Sequence, residues 1–127
     1  MEVDVPTRPR VLIADDYPEV VKAVSRLLAL DYEIVGSVAD GSALLEAVQR
    51  LRPDVVVLDL NLPNANGLEA CRQATRTNPE TKVIIFTAAN EPEVAQASLA
   101  AGASAFVSKT AVEDLLSALK GICVDRG

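Results

Sequence analysis

Five short apolar runs, each followed by a stretch with helical spacing, alternate along the chain. Val11-Leu12-Ile13-Ala14 predicts a first strand. The segment behind it predicts a helix with Pro18 in its first turn and Val20, Val21, Val24, Leu27 and Leu28 on one face. Glu33 to Ser37 predicts a weaker second strand. Asp40 stands where it can cap a second helix, whose Leu44, Leu45, Val48 and Leu51 keep helical spacing until Pro53 stops it. Val55 to Leu58 predicts the third strand, and a loop with Pro63 and Gly67 leads to a third helix from Leu68 to Thr77, ended by Asn78-Pro79. Val83 to Phe86 is the fourth strand. Pro92 opens a fourth helix that runs through Val94, Ala97 and Ala101, with Gly102 as its C-terminal cap. Ala105 to Ser108 predicts the fifth strand, and Thr110-Ala111-Val112-Glu113 has the spacing of a capping box ahead of Leu115, Leu116 and Leu119.

Strands that are continuously apolar, rich in Val and Ile and separated by single helices are parallel and covered on both faces. The predicted class is therefore α/β, a doubly wound (βα)5 domain. Residues 1–10, with Pro6 and Pro9, read as a flexible lead, 11–124 as one domain and 125–127 as a tail. No repeat or low-complexity tract competes with this reading.

Composition acts mainly by exclusion. The 127 residues, half of them hydrophobic and 24% charged, suffice to bury a core without disulfide or metal support. The chain has no histidine, which removes Ser-His-Asp and Cys-His catalysis and every zinc site that needs an imidazole. A net charge of −6 repels phosphate backbones, so direct binding of nucleic acid or an anionic membrane is not expected of this chain. Cys71 and Cys123 are too far apart for a C-x-x-C pair and read as reduced, small hydrophobes. No apolar run approaches the length of a membrane span and residues 1–10 lack the apolar core of a signal peptide, so the expected location is the cytoplasm.

In doubly wound sheets, functional groups gather beyond the carboxyl ends of the strands. Here the first strand ends in Asp15-Asp16, the third in Asp59 and the fourth in Thr87, and the fifth reaches Lys109. Each has an ordinary explanation alone: a helix cap, a solvated loop acid, a turn residue, a surface lysine. Together they describe a pocket, because parallel strands bring these distant positions to one place. Three converging carboxylates repel one another unless a cation joins them, and hard oxygen donors with room for water suit Mg²⁺. A lysine and a threonine hydroxyl opposite would clamp phosphoryl oxygens, and Asp59 on the middle strand is the natural nucleophile for an aspartyl phosphate.

The ordered set Asp15-Asp16, Asp59-Leu60-Asn61-Leu62-Pro63 with Gly67, Thr87-Ala88 and Phe106-Val107-Ser108-Lys109 resembles the receiver domains of two-component response regulators. The resemblance runs from about Val11 to Val124. It implies a flavodoxin-like three-layer sandwich with strand order 2-1-3-4-5. It also implies that Asp59 accepts phosphate from a histidine of a sensor kinase, while Asp16, Asp59 and the backbone carbonyl of Asn61 hold Mg²⁺ with Asp15 in support. Lys109 and Thr87 would contact the phosphoryl group. Thr87 and Phe106 would form the switch that alters the face made by the fourth helix, fifth strand and fifth helix, opening the way to a homodimer on phosphorylation. Two positions depart from the pattern: Thr110 follows Lys109 where many receivers carry a cis proline, and Phe106 lacks the hydroxyl of the tyrosine often found there. Ala14-Asp15-Asp16-Tyr17-Pro18 and Arg52-Pro53-Asp54 further resemble the subfamily with a LuxR-type helix-turn-helix output domain. No such domain lies within this sequence, and a DNA-binding output domain beyond its end is expected, with a stand-alone receiver as the alternative.

Three rival readings compete with this one. A haloacid dehalogenase-like phosphatase needs a second acid two positions after the nucleophile, where Asn61 has an amide that cannot exchange a proton. A dinucleotide binder needs G-x-G-x-x-G, which Gly36, Gly41, Gly67, Gly102, Gly121 and Gly127 do not form. A degenerate receiver that acts only as an interaction module is the remaining alternative, opposed by the intact acid set.

Overall fold

In a computed structural model that describes residues 8–123, every apolar run forms a strand and every periodic segment a helix. The order is β1 (Arg10–Ala14), α1 (Pro18–Leu28), β2 (Glu33–Val38), α2 (Gly41–Leu51), β3 (Val55–Leu58), α3 (Gly67–Thr77), β4 (Lys82–Thr87), α4 (Pro92–Ala100), β5 (Ala105–Ser108) and α5 (Val112–Cys123). All neighbouring strands pair in parallel, and the sheet order is β2-β1-β3-β4-β5, as the resemblance implied.

Side chains of successive strand residues point to opposite faces, and the core divides accordingly. Val11, Ile13, Val55, Val57, Ile84, Phe86 and Val107 pack under α1 and α5 against Val24, Leu28, Leu115 and Leu119. Leu12, Ala14, Val56, Leu58, Val83 and Ile85 pack on the other face against Leu44 and Val48 of α2 and Ala70, Cys71 and Ala74 of α3. Every residue of β3 is buried, which is why that run reads as unbroken Val and Leu rather than as an alternation. Each such side chain contributes about 1.5–3 kcal/mol by leaving water. β2 is the half-exposed edge, with a register shift opposite Val11 and Leu12, and this accounts for its weak apolar signal.

Helix boundaries show where local chemistry was legible. Asp40 caps α2 by accepting the Ala43 N–H at 2.8 Å, and Arg52 turns left-handed (φ 46°) just before Pro53. Pro92 opens α4, and Gly102 follows its C-cap with φ +106°, a conformation that L side chains rarely adopt. α3 starts one residue earlier than Leu68, because Asn66 accepts from the N–H groups of Leu68 and Glu69 and serves as the cap that the sequence reading overlooked. The capping box expected at Thr110 does not form. α5 begins at Val112, and the Thr110 hydroxyl pairs instead with Ser108 Oγ at 2.8 Å. The strand ladder also reaches one residue into the expected lead: Arg10 belongs to β1, its N–H bonded to Asp54 Oδ2 and its guanidinium to the Leu51 and Arg52 carbonyls. The remaining expectations for residues 1–7 and 124–127 lie outside the described residues.

Candidate functional site

The carboxyl edge of the sheet is built by extending the ladder one residue past the strands. Asp59 N–H donates to the Ala14 carbonyl at 2.9 Å, Asp15 N–H to Val38 at 3.0 Å and Lys109 N–H to Thr87 at 2.8 Å. Adjacent strands therefore present the side chains of Asp15, Asp59, Thr87 and Lys109 at one level. Asp15, Asp59 and Thr87 are buried, with relative exposures of 4%, 3% and 0%.

Their contacts are direct. Lys109 Nζ lies 2.8 Å from Asp15 Oδ2 and 2.9 Å from Asp59 Oδ2. Thr87 Oγ1 donates to Asp59 Oδ1 at 2.9 Å, and the Asn61 N–H reaches the same oxygen at 3.1 Å. Asp15 Oδ1 accepts the Tyr17 N–H at 2.9 Å, just ahead of α1, so neither Asp15 nor Asp16 acts as the cap residue of that helix. Burial alone would pull the pKa of the Lys109 ammonium down, but its hydrogen bonds to Asp15 and Asp59 outweigh that and raise it.

Asp16 is exposed, and one carboxylate oxygen from each of Asp15, Asp16 and Asp59 lies within 4.8 Å of the others. Lys109 is expected to contact a phosphoryl group opposite the metal. In this structure its ammonium bridges two of the three carboxylates. That relieves part of the repulsion but leaves three negative groups against one positive. An all-oxygen set with residual negative charge, open to solvent at Asp16, fits a small hard divalent cation.

The loop from β3 to α3 is held close by Gly67, where an added Cβ would stand 2.4 Å from the Leu60 carbonyl oxygen and 2.6 Å from its Cα. Glycine is the residue this close approach permits, and the tight loop sets the Asn61 N–H on Asp59. Asn61 itself is exposed. Phe106 lies farther along the sheet, opposite Ile85 in the β4–β5 register and half-buried against the α2–α3 face. It is not in the hydrogen-bonded cluster. Around Lys109–Thr110 the described chain has no cis peptide bond; Thr110 N–H meets Ser108 Oγ at 3.2 Å and Ala111 N–H the Ser108 carbonyl at 3.0 Å. One neighbour escaped the sequence reading. The Tyr17 ring faces Lys109 Nζ at 5.5 Å from its centroid, a contact that depends on a side-chain direction no spacing encodes.

This is a doubly wound α/β module with an acidic cluster at the carboxyl edge of its sheet, and comparison with known proteins places it. Residues 11–120 match the response regulator receiver domain model, and the chain belongs to that family. It is 33% identical over 117 residues to the response regulator GacA of Pseudomonas aeruginosa, covering 89% of this chain and 54% of that protein. Among solved structures it is similar to a LuxR-family two-component response regulator from Aurantimonas sp. (TM-score 0.77, 30% identity, 87% of this chain and 86% of that one). A LuxR-family DNA-binding response regulator from Staphylococcus aureus is likewise similar (TM-score 0.82, 26% identity, 90% and 98%). The chain spans about half the length of the curated relatives it matches. Among the described residues no helix is long and apolar enough to cross a membrane.

Proposed function

We propose that this receiver takes a phosphoryl group from a phosphohistidine of a sensor kinase onto Asp59 and changes conformation to control an output. The observation that carries this reading is the convergence of Asp15, Asp59, Thr87 and Lys109 from four strand ends into direct hydrogen-bond contact. An oxygen of Asp59 forms the new O–P bond while the P–N bond to the kinase imidazole breaks and the nitrogen keeps the electron pair. Hydrolysis by water later returns the carboxylate and inorganic phosphate. Asp16, Asp59 and the Asn61 carbonyl would hold Mg²⁺, with Asp15 in support; when bound, the ion neutralises charge spread over the phosphoryl oxygens.

The chain's own groups do the remaining work. Lys109 moves its ammonium from carboxylate to phosphoryl oxygen without crossing the site, because it already touches Asp59. The Thr87 hydroxyl, now on Asp59 Oδ1, has a phosphoryl oxygen as its stronger acceptor. Only the difference between the two acceptors biases the equilibrium, since the hydroxyl already bonds a carboxylate, and each ~1.4 kcal/mol of that difference is worth tenfold. Thr87 and Phe106 form the switch in this reading, with the face of α4, β5 and α5 as the surface that responds, including by homodimerisation. The relatives named as LuxR-family regulators support a C-terminal DNA-binding output domain in the whole protein and a cytoplasmic setting.

Intact-mass measurement with Mg²⁺ and acetyl phosphate tests the reading. Wild type gains one phosphoryl mass and Asp59→Asn gains none. Equal labelling of that variant would falsify the assignment of Asp59, and a wild type that takes up nothing would favour a phosphorylation-independent interaction module.

A further inference from the structure

An ammonium group has three N–H donors, and two of those on Lys109 go to Asp15 and Asp59. The third side of the group faces the Tyr17 ring, 5.5 Å from its centroid and within the range in which the negative face of an aromatic ring attracts a cation. From this we infer that Tyr17 is a positioning residue for phosphoryl capture, acting through Lys109; the inference rests on the reading of Asp59 as phosphoacceptor.

The backbone supports such a role. Tyr17 N–H is tied to Asp15 Oδ1 at 2.9 Å, and its carbonyl accepts the N–H groups of Val20 and Val21 at 3.0 and 3.1 Å. Pro18 follows directly and restricts the residue before it to extended backbone, which Tyr17 adopts (φ −96°, ψ 112°). The side chain therefore leaves a backbone fixed on both sides, although the residue is 59% exposed. Such exposure gives Tyr17 little weight in the core. Its use lies in what it covers.

A lysine has four rotatable bonds in its stem, and ordering it when the phosphoryl group arrives costs free energy that a pre-positioned ammonium does not incur. The ring lies over one side of the partly exposed Lys109 ammonium and limits its wandering away from Asp59, beside which the phosphoryl oxygens would appear. The π face supplies this effect and the phenol hydroxyl does not, so phenylalanine should replace tyrosine and an aliphatic residue of similar bulk should not.

The test compares wild type, Tyr17→Phe and Tyr17→Leu in two measurements. In the protein without ligand, proton-detected nitrogen spectra of the Lys109 ammonium and its neighbouring methylene report the ring current. Wild type and Tyr17→Phe share the shielded position, and Tyr17→Leu loses it. Titration with beryllofluoride and Mg²⁺, followed by the Asp59 and Lys109 signals, should give equal affinities for wild type and Tyr17→Phe and about two- to fivefold weaker binding for Tyr17→Leu, the worth of a cation–π contact at a partly exposed site. Unchanged affinity in Tyr17→Leu overturns the inference while leaving Asp59 as acceptor. A defect in Tyr17→Phe equal to that in Tyr17→Leu overturns it too, because the hydroxyl would then be responsible. Wild type that binds no beryllofluoride overturns both this inference and the reading beneath it.

Discussion

At the amino edge of the sheet, Thr81 donates its hydroxyl proton to the Pro53 carbonyl at 2.6 Å and accepts from Asn78 Nδ2 at 2.8 Å. At the carboxyl edge, Lys109 spreads one ammonium over Asp15 and Asp59 while Asp16 stands beside them. Both clusters are built from residues just outside the strands, and Thr81 and Asp59 are equally hidden from water, at 1% and 3% exposure. They differ in charge. The first is neutral, and each hydrogen bond in it closes the chain on itself. The second is short of positive charge and therefore has a place left for a cation. Burial of polar groups alone does not mark a functional site; incomplete compensation does.

The largest test of that contrast removes the cation that pairs with Asp15 and Asp59. Lys109→Ala leaves two buried carboxylates facing each other and should cost about 3 kcal/mol in urea unfolding without divalent ions. Added Mg²⁺ should restore a larger share of stability in the variant than it adds to wild type. A variant as stable as wild type in chelator would show that the carboxylates do not feel each other. At the other edge, Thr81→Val strands the Pro53 carbonyl and the Asn78 amide and should cost about 1–3 kcal/mol, with acetyl phosphate labelling unaltered. Loss of labelling in folded Thr81→Val would break the separation between the two edges.

The smallest effect is in alkali. The Lys109 pKa is raised in the folded state, so its stabilising contribution is complete below the ordinary lysine value of 10.5 and disappears as pH rises past it. Burial pushes the Cys71 thiol from 9.0 up to about 11, so the unfolded chain ionises first and stability begins to fall above pH 9. Melting curves should be flat from about pH 7 to 9 and decline beyond. Lys109→Ala should decline less steeply, since only the Cys71 thiol and the Tyr32 phenol, whose pKa burial also raises, remain. Parallel declines would place the alkaline sensitivity elsewhere.

How much of this was legible in the sequence follows from how local each cause is. β3 and β4 were plain because burial on both faces leaves no polar position in Val55–Leu58 or Val83–Phe86. Asp40, Pro92 and Gly102 were legible because caps act over three or four residues. Thr110 failed as a cap for a tertiary reason: Lys109 must reach back to Asp59, and the Ser108–Thr110 hydroxyl pair forms in the turn that allows it. Asp15, Asp59, Thr87 and Lys109 could be assembled from topology alone, because parallel strands align their ends. The resting partner of Lys109 could not, since it depends on which charges are nearest before any ligand arrives. Nor could the Tyr17 ring, whose place is set by a rotamer.

The stiffness of β3 has a consequence for time rather than for place. Asp59 continues that strand through its amide bond to Ala14, in the middle of a sheet whose central residues are fully buried. Its amide proton should exchange with solvent only through opening close to global unfolding, whereas β5, at the sheet margin with Ala105 and Phe106 half-buried, can open locally at far lower cost. The residue proposed to carry the signal should thus lie on a slowly exchanging strand, and the surface proposed to read it on one that exchanges faster. A local opening at β5 can come and go many times while the ladder around Asp59 stays closed.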